Sequence, residues 1–162
     1  MTNDFLQDVE ATKAHLGVMI SKEKQSGEYL LASVVQDSLL YNLHHHADSS
    51  ELMKLAHDAA MVSVQSAAEY MYLSQFTVHE SMRGVMLSMV SLGGDPVLTA
   101  VAVATGGLLG LQTVAPESGM QYANSISTGI CSAVDDMGID RSNVQRVTQH
   151  LTQQAAGLWV AQ

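Results

Sequence analysis

Apolar positions recur at helical spacing along the chain, and regular runs of aromatic and β-branched residues that would mark a set of strands are missing. Phe5, Val9, Leu16, Met19 and Ile20 predict a first helix over residues 4–25, with Thr2, Asn3 and Asp4 as candidate caps and Ser26-Gly27 ending it. Leu31, Val34, Val35, Leu39 and Leu43 form the stripe of a second, over residues 28–46. Asp48 with Glu51 three positions on reads as a capping arrangement that opens a third. That third segment, residues 51–92, holds no proline and only Gly84 as a weak point, so the pattern predicts one rod of about 60 Å. Gly93-Gly94 stops it, and Asp95-Pro96 supplies a cap followed by proline in the first turn of a fourth helix, residues 97–115. Pro116 ends that one. A fifth helix is predicted over 117–137, with Gly138 as its stop, and a sixth over 141–161 behind Asp140. Val97, Val101 and Val103 leave a short buried strand as the competing reading of residues 97–103, and helix is preferred because no matching strand exists to pair with it.

The uncharged stretch in the middle changes this picture most. Between Arg83 and Glu117 the only ionisable residue is Asp95, which falls at the predicted turn. Two apolar arms, residues 84–92 and 97–115, therefore flank one polar tip. The second arm carries Gly106-x-x-x-Gly110, the spacing that lets helices approach closely. Its length is near that of a bilayer span, so a membrane-inserting hairpin is one reading. Thr99, Thr105, Gln112 and Thr113 dilute it, and Lys, Arg or Trp anchors are missing from its flanks. A hairpin buried in a bundle or at a subunit contact is the preferred one. The methionines of the third segment (Met53, Met61, Met71, Met82, Met86 and Met89) read as core that tolerates irregular gaps.

Composition narrows the function classes. The 162 residues are 47% hydrophobic but only 14% charged, against about 25% in typical domains. A surface this short of charge is poorly defended against association, and burial against partners is expected. Seven Lys and Arg against sixteen Asp and Glu give a net charge of −9, which removes the basic footprint of a nucleic-acid binder. A single cysteine, Cys131, forbids an internal disulfide and fits a reducing, cytoplasmic compartment; Met1-Thr2-Asn3-Asp4 lacks the basic start of a secretory leader.

Candidate chemistry is thin. His44, His45 and His46 are consecutive, so on a helix they point about 100° apart and cannot chelate one ion together. His79-Glu80 lacks the second histidine of a zinc-binding helix, and His57-Asp58, His15 and His150 stand alone. Cys131 sits among small apolar residues and reads as inert core. The pattern supplies no catalytic, metal or cofactor set; a helical-bundle enzyme or cofactor binder around His57, His79 and Glu80 is carried only as an alternative. The seven histidines do matter for charge. Protonating all of them moves the chain from −9 to −2, so mild acid weakens repulsion between subunits, while the 44–46 triplet would repel itself. That triplet is the candidate pH sensor.

The helix over 117–137 is dense in Ala, Ser and Gly, and a short repeat links two helix ends. Ser66-Ala67-Ala68-Glu69-Tyr70-Met71 recurs as Ser132-Ala133-Val134-Asp135-Asp136-Met137, 66 positions on. Over residues 56–90 and 120–160 this texture resembles the R-body (killing-trait) proteins, small helical proteins that polymerise into coiled ribbons inside bacteria. Their small-residue helix runs through Asn-Ala-Val into a Gln-rich stretch. Ser132-Ala133-Val134 and Ser66-Ala67-Ala68 stand in its place here, without the Gln run. The resemblance implies a non-enzymatic polymer subunit, sensitive to pH and able to breach membranes.

The reading is thus a single all-α domain over 1–162, an antiparallel bundle of five or six helices with a long central hairpin. It is expected to self-associate, with itself or closely related subunits, as part of a filament, ribbon or shell. Gly106, Gly110, Asp95, Pro96, Ser132 and Ala133 are the residues expected to shape hairpin packing or assembly. A membrane-active effector is the first alternative.

Overall fold

The computed structural model describes residues 14–15, 18, 32, 35 and 49–160, and among them all regular structure is helical, without a strand. Five helices follow one another: α1 Ser49–Tyr70, α2 Gln75–Ser91, α3 Pro96–Val114, α4 Ala123–Asp136 and α5 Ser142–Val160, with a single 3-10 turn, Gly119–Tyr122, before α4. Nearly all of the first and second predicted helices lies outside the described residues, as do His44, His45 and His46.

The expected rod over 51–92 is two helices. It breaks at residues 71–74, where the Ser74 side chain accepts from the Thr77 amide at 3.1 Å and Thr77 Oγ1 accepts from the Ser74 amide at 2.9 Å. This reciprocal capping box satisfies the first amides of α2 without a glycine or proline. Two other boundaries fall where the glycines placed them. Gly93 and Gly138 have φ of +102° and +71°, and the amides after them reach back to Met89 and Val134 carbonyls. These are Schellman endings, which the left-handed residue makes possible. Asp95 caps α3 by accepting from the Leu98 amide at 3.0 Å, with Pro96 in the first turn. Residues 97–103 are helix, not strand. The helix predicted from 117 begins only at Ala123, because Pro116 is followed by the 3-10 turn.

Helices α1, α3 and α5 form one row and α2 and α4 a second, with α3 touching every other element. Met82, Met86 and Met89 of α2 are fully buried among Leu55, Leu111, Ile126 and Ile130, so the methionine face is core. Met53 and Met61 lie only partly inside.

Candidate functional site

Helix α3 differs from its neighbours because it carries no charged residue, and its two sides are set apart by side-chain size. Its buried side is Thr99, Ala100, Val103, Ala104, Gly106, Gly107, Gly110 and Leu111. Its outer side carries Leu98 at 55% exposure and Leu109 at 39%, with exposed Thr105 and Gln112 between and beyond them. Three glycines and two alanines face inward beside Val103 and Leu111, while Leu98 and Leu109 face out. This departs in part from the usual globular order, in which large apolar side chains fill the core.

The inward glycines explain how that is stable. A Cβ on Gly106 would collide with the His57 carbonyl oxygen of α1, and one on Gly110 would stand 3.0 Å from the Met61 carbonyl oxygen. The third contact along the seam is Gln65 Nε2 donating to Thr113 Oγ1 at 3.2 Å. Each partner advances together, so α1 and α3 run parallel with their backbones nearly touching. The predicted Gly-x-x-x-Gly spacing is therefore used inside the molecule, against α1, and not against the neighbouring arm α2. The same device recurs elsewhere. A Cβ on Gly129 of α4 would collide with the His79 carbonyl of α2, and one on Gly84 of α2 would stand 2.6 Å from the Ala32 carbonyl.

Of the other expected packing residues, Asp95 and Pro96 begin α3, Ala133 is fully buried, and Ser132 is half-buried on α4. Ser132 lines an open groove of about 320 Å³ between α4 and α5, with Asn124, Ser127, Thr128, Cys131 and Gln149. Ser127 and Thr148 hydroxyls pair across the base of these helices at 2.8 Å, and Asp135 meets Arg141 at 3.1 Å on the rim. Cys131 is 4% exposed, and burial pushes its thiol above the ordinary value.

The polar groups weighed for chemistry form structural pairs. Arg83 Nε donates to Asp136 at 2.8 Å and its Nη1 to Glu80 at 3.1 Å, which ties α2 to the end of α4. Those carboxylates, Asp136 first, hold the guanidinium above its usual value. His79 Nδ1 is 3.7 Å from Glu80, and His57 Nδ1 is 3.1 Å from Asp58. Among the described residues no three His, Cys, Asp or Glu side chains converge as a metal site, and His57 is not brought to His79 and Glu80.

Sequence reasoning missed Leu98, Leu109, Gly84 and Gly129. The signal for Gly129 was present in the Ser- and Ala-rich run around it; for the leucines no local signal exists, since their direction follows from which face carries the glycines. No known protein family, curated protein or solved structure matches the chain.

Proposed function

We propose that this is a non-enzymatic, self-associating structural protein of the cytoplasm, an antiparallel bundle that is oligomeric in its working state. The observation that carries this reading is the outward leucine face of α3. Leu98, Thr105, Leu109 and Gln112 form an uncharged stripe on the central helix, and the helices packed against it, α1 and α5, carry exposed charged and polar residues such as Lys54, Glu69, Arg146 and Gln153. An apolar centre inside a polar rim is the anatomy of a protein interface. The low overall charge and the resemblance to R-body subunits point the same way. The bonds Asp135–Arg141 and Ser127–Thr148, which join the end of α4 to the residue just before α5 and an earlier position of α4 to a later one of α5, support antiparallel hairpins.

Light scattering on the eluting protein across a range of concentrations tests this. The mass should exceed 17.3 kDa and fall when Leu98 and Leu109 are both replaced by Lys. A wild-type mass of 17.3 kDa at every concentration overturns it.

A second reading has its own observation. Residues Pro96–Val114 are the one described helix long and apolar enough to span a bilayer, with mean hydropathy 1.7 and 44% of that window buried. A glycine seam inward with Leu98 and Leu109 outward is also how membrane helices pack. Dye release from vesicles, absent at pH 7 and at pH 5, removes this alternative; release lost in the double Lys variant favours it. Histidines 44–46 belong to the same proposal, as the group whose protonation would change assembly between those pH values.

A further inference from the structure

Aromatic and charged residues are divided between the two ends of the bundle. α1 and α3 run parallel, since Gly106 and Gly110 of α3 meet His57 and Met61 of α1 in the same order. α2 and α4 also run parallel, with Gly129 on His79 and Asp136 on Arg83. Only residues 71–74 separate α1 from α2, so the C-terminal ends of α1 and α3 lie together with the N-terminal ends of α2 and α4. α5 runs against α4 and finishes on that side too. Every tyrosine and phenylalanine among the described residues falls at this end. Tyr70 closes α1, Tyr72 lies in the link, Phe76 is in the first turn of α2, and Tyr122 immediately precedes α4. The opposite end is the charged one, with Lys54, Asp95, Asp135, Asp136, Asp140 and Arg141.

The aromatic end is open to solvent. Tyr72 is 72% exposed and Phe76 49%, and with Met71, Ser74 and Thr77 they line a pocket of about 380 Å³. The charged side chains here are those of Glu69 and Glu117, both exposed, and no described lysine or arginine accompanies them. Tyrosine rings favour a boundary that is apolar on one side and wet on the other. Aromatic faces also attract quaternary ammonium groups, as carboxylates do.

We infer that this end of the bundle rests on a lipid surface of zwitterionic phosphocholine headgroups. Tyr72 and Phe76 enter the headgroup layer, and Glu69 and Glu117 stand among its choline ammonium groups. Charge complementarity selects that occupant. An anionic membrane is held by lysines and arginines, which this end lacks. A second copy docked about a twofold axis would set Glu69 and Glu117 against the same carboxylates, with no lysine or arginine of the described residues to separate them. The contact is peripheral. It requires neither insertion of α3 nor self-association, and it stands apart from both readings above.

Flotation of the full chain with phosphatidylcholine vesicles at pH 7 tests this. Light scattering and far-UV circular dichroism without lipid report the mass and helicity of each variant. The wild type should float with the vesicles. A folded Tyr72→Ser, Phe76→Ser double variant should bind at least about tenfold more weakly, the loss expected for one buried aromatic side chain. Glu69→Lys with Glu117→Lys should weaken binding as well, and this pair carries the test if the aromatic variant loses its helices. Leu98→Lys with Leu109→Lys should still float. A wild type left behind by the vesicles overturns the inference without touching self-association. Binding undiminished in the folded aromatic variant, or unchanged in the charge variant, overturns it too. Loss confined to the Leu98 and Leu109 variant assigns the lipid contact to α3 instead, and an oligomer mass that falls in the aromatic variant assigns this end to a protein contact; either result overturns the inference.

Discussion

Gly106 of α3 lies against the backbone carbonyl of His57 on α1 with no room for a methyl group, whereas Gly110, one turn on, leaves 3.0 Å between an added Cβ and the Met61 carbonyl oxygen. Both obstacles are backbone, which cannot swing aside as a long side chain does. The difference in room makes the two glycines unequal in a measurable way. Alanine in a helix interior gains about 1 kcal/mol over glycine from propensity. At position 110 a movement of a few tenths of an ångström relieves the crowding, and the gain roughly offsets it. At 106 the helices must part, at a cost near the upper end of the range of about 1–3 kcal/mol for overpacking. That leaves a net loss of about 2 kcal/mol, at about 2–4 °C per kcal/mol for a chain of this size. Gly106→Ala should therefore lower the thermal midpoint by about 4–8 °C, and Gly110→Ala should leave it within about 2 °C. Equal effects of the two substitutions would show that the seam is not where the strain falls.

How far the sequence foretold this arrangement depends on the kind of signal. Gly93, Gly138 and Asp95-Pro96 are readable because each imposes a local conformation: a positive φ, a missing donor, a side chain that caps. The 71–74 break was hidden, since Met71, Tyr72 and Leu73 continue an apolar pattern and Ser74-x-x-Thr77 lacks the usual acidic partner. The Gly106-x-x-x-Gly110 spacing announced close packing but not its partner, because α1 is some fifty residues away in sequence. Orientation was the least legible. Periodicity places Leu98 and Leu109 on one stripe of α3, and only the glycine seam decides that this stripe is the outer one.

The capping box at Ser74 gives a second expectation. Ser74→Ala removes the acceptor for the Thr77 amide and should cost about 1 kcal/mol. Ser74→Asp keeps that acceptor and should recover most of the loss. Chemical denaturation of the two variants measures both, and an alanine variant as stable as the wild type would mean that tertiary packing alone positions the break.

Buried hydroxyls divide into two groups with opposite expectations. Ser81 Oγ and Thr99 Oγ1 are buried with no hydrogen-bond partner, while Thr148 Oγ1 pairs with Ser127 at 2.8 Å. An unpaired buried hydroxyl costs free energy that an apolar replacement recovers, whereas removing one member of a pair strands the other. Ser81→Ala and Thr99→Val should be neutral or stabilising, by up to about 1 kcal/mol, and Thr148→Val should destabilise by about 1–3 kcal/mol. Urea midpoints with the same sign for all three would contradict the assignment.

Asp140 supplies a pH dependence whose sign can be worked out. The Ser142 backbone amide and then its hydroxyl hold the Asp140 carboxyl below 3.8, at a fully exposed position. A carboxyl whose value is lowered on folding stabilises the native state above its unfolded value, and loses that contribution as the pH falls through the folded one. Asp140→Ala should therefore be less stable than the wild type at pH 7, with the gap narrowing below about pH 4. Thermal melts of the pair at both pH values check this, and a gap that stays constant down to pH 2 would assign the difference to packing.

Cys131 is the most direct probe of the seam between α4 and α5. Its side chain is 4% exposed, and burial raises its thiol above the ordinary value, so at neutral pH both access and thiolate fraction oppose reaction. Ser127 and Thr148 lie beside it and pull the other way, but more weakly than burial. In the native protein an alkylating reagent should label Cys131 only through opening of the α4–α5 hairpin, and in urea at once. Thr148→Val breaks the hydroxyl pair that fastens the two helices, so it should accelerate native labelling several-fold, about fivefold for each 1 kcal/mol lost from the opening free energy. Labelling as fast in buffer as in urea would place the thiol at the surface and overturn the packing of this hairpin.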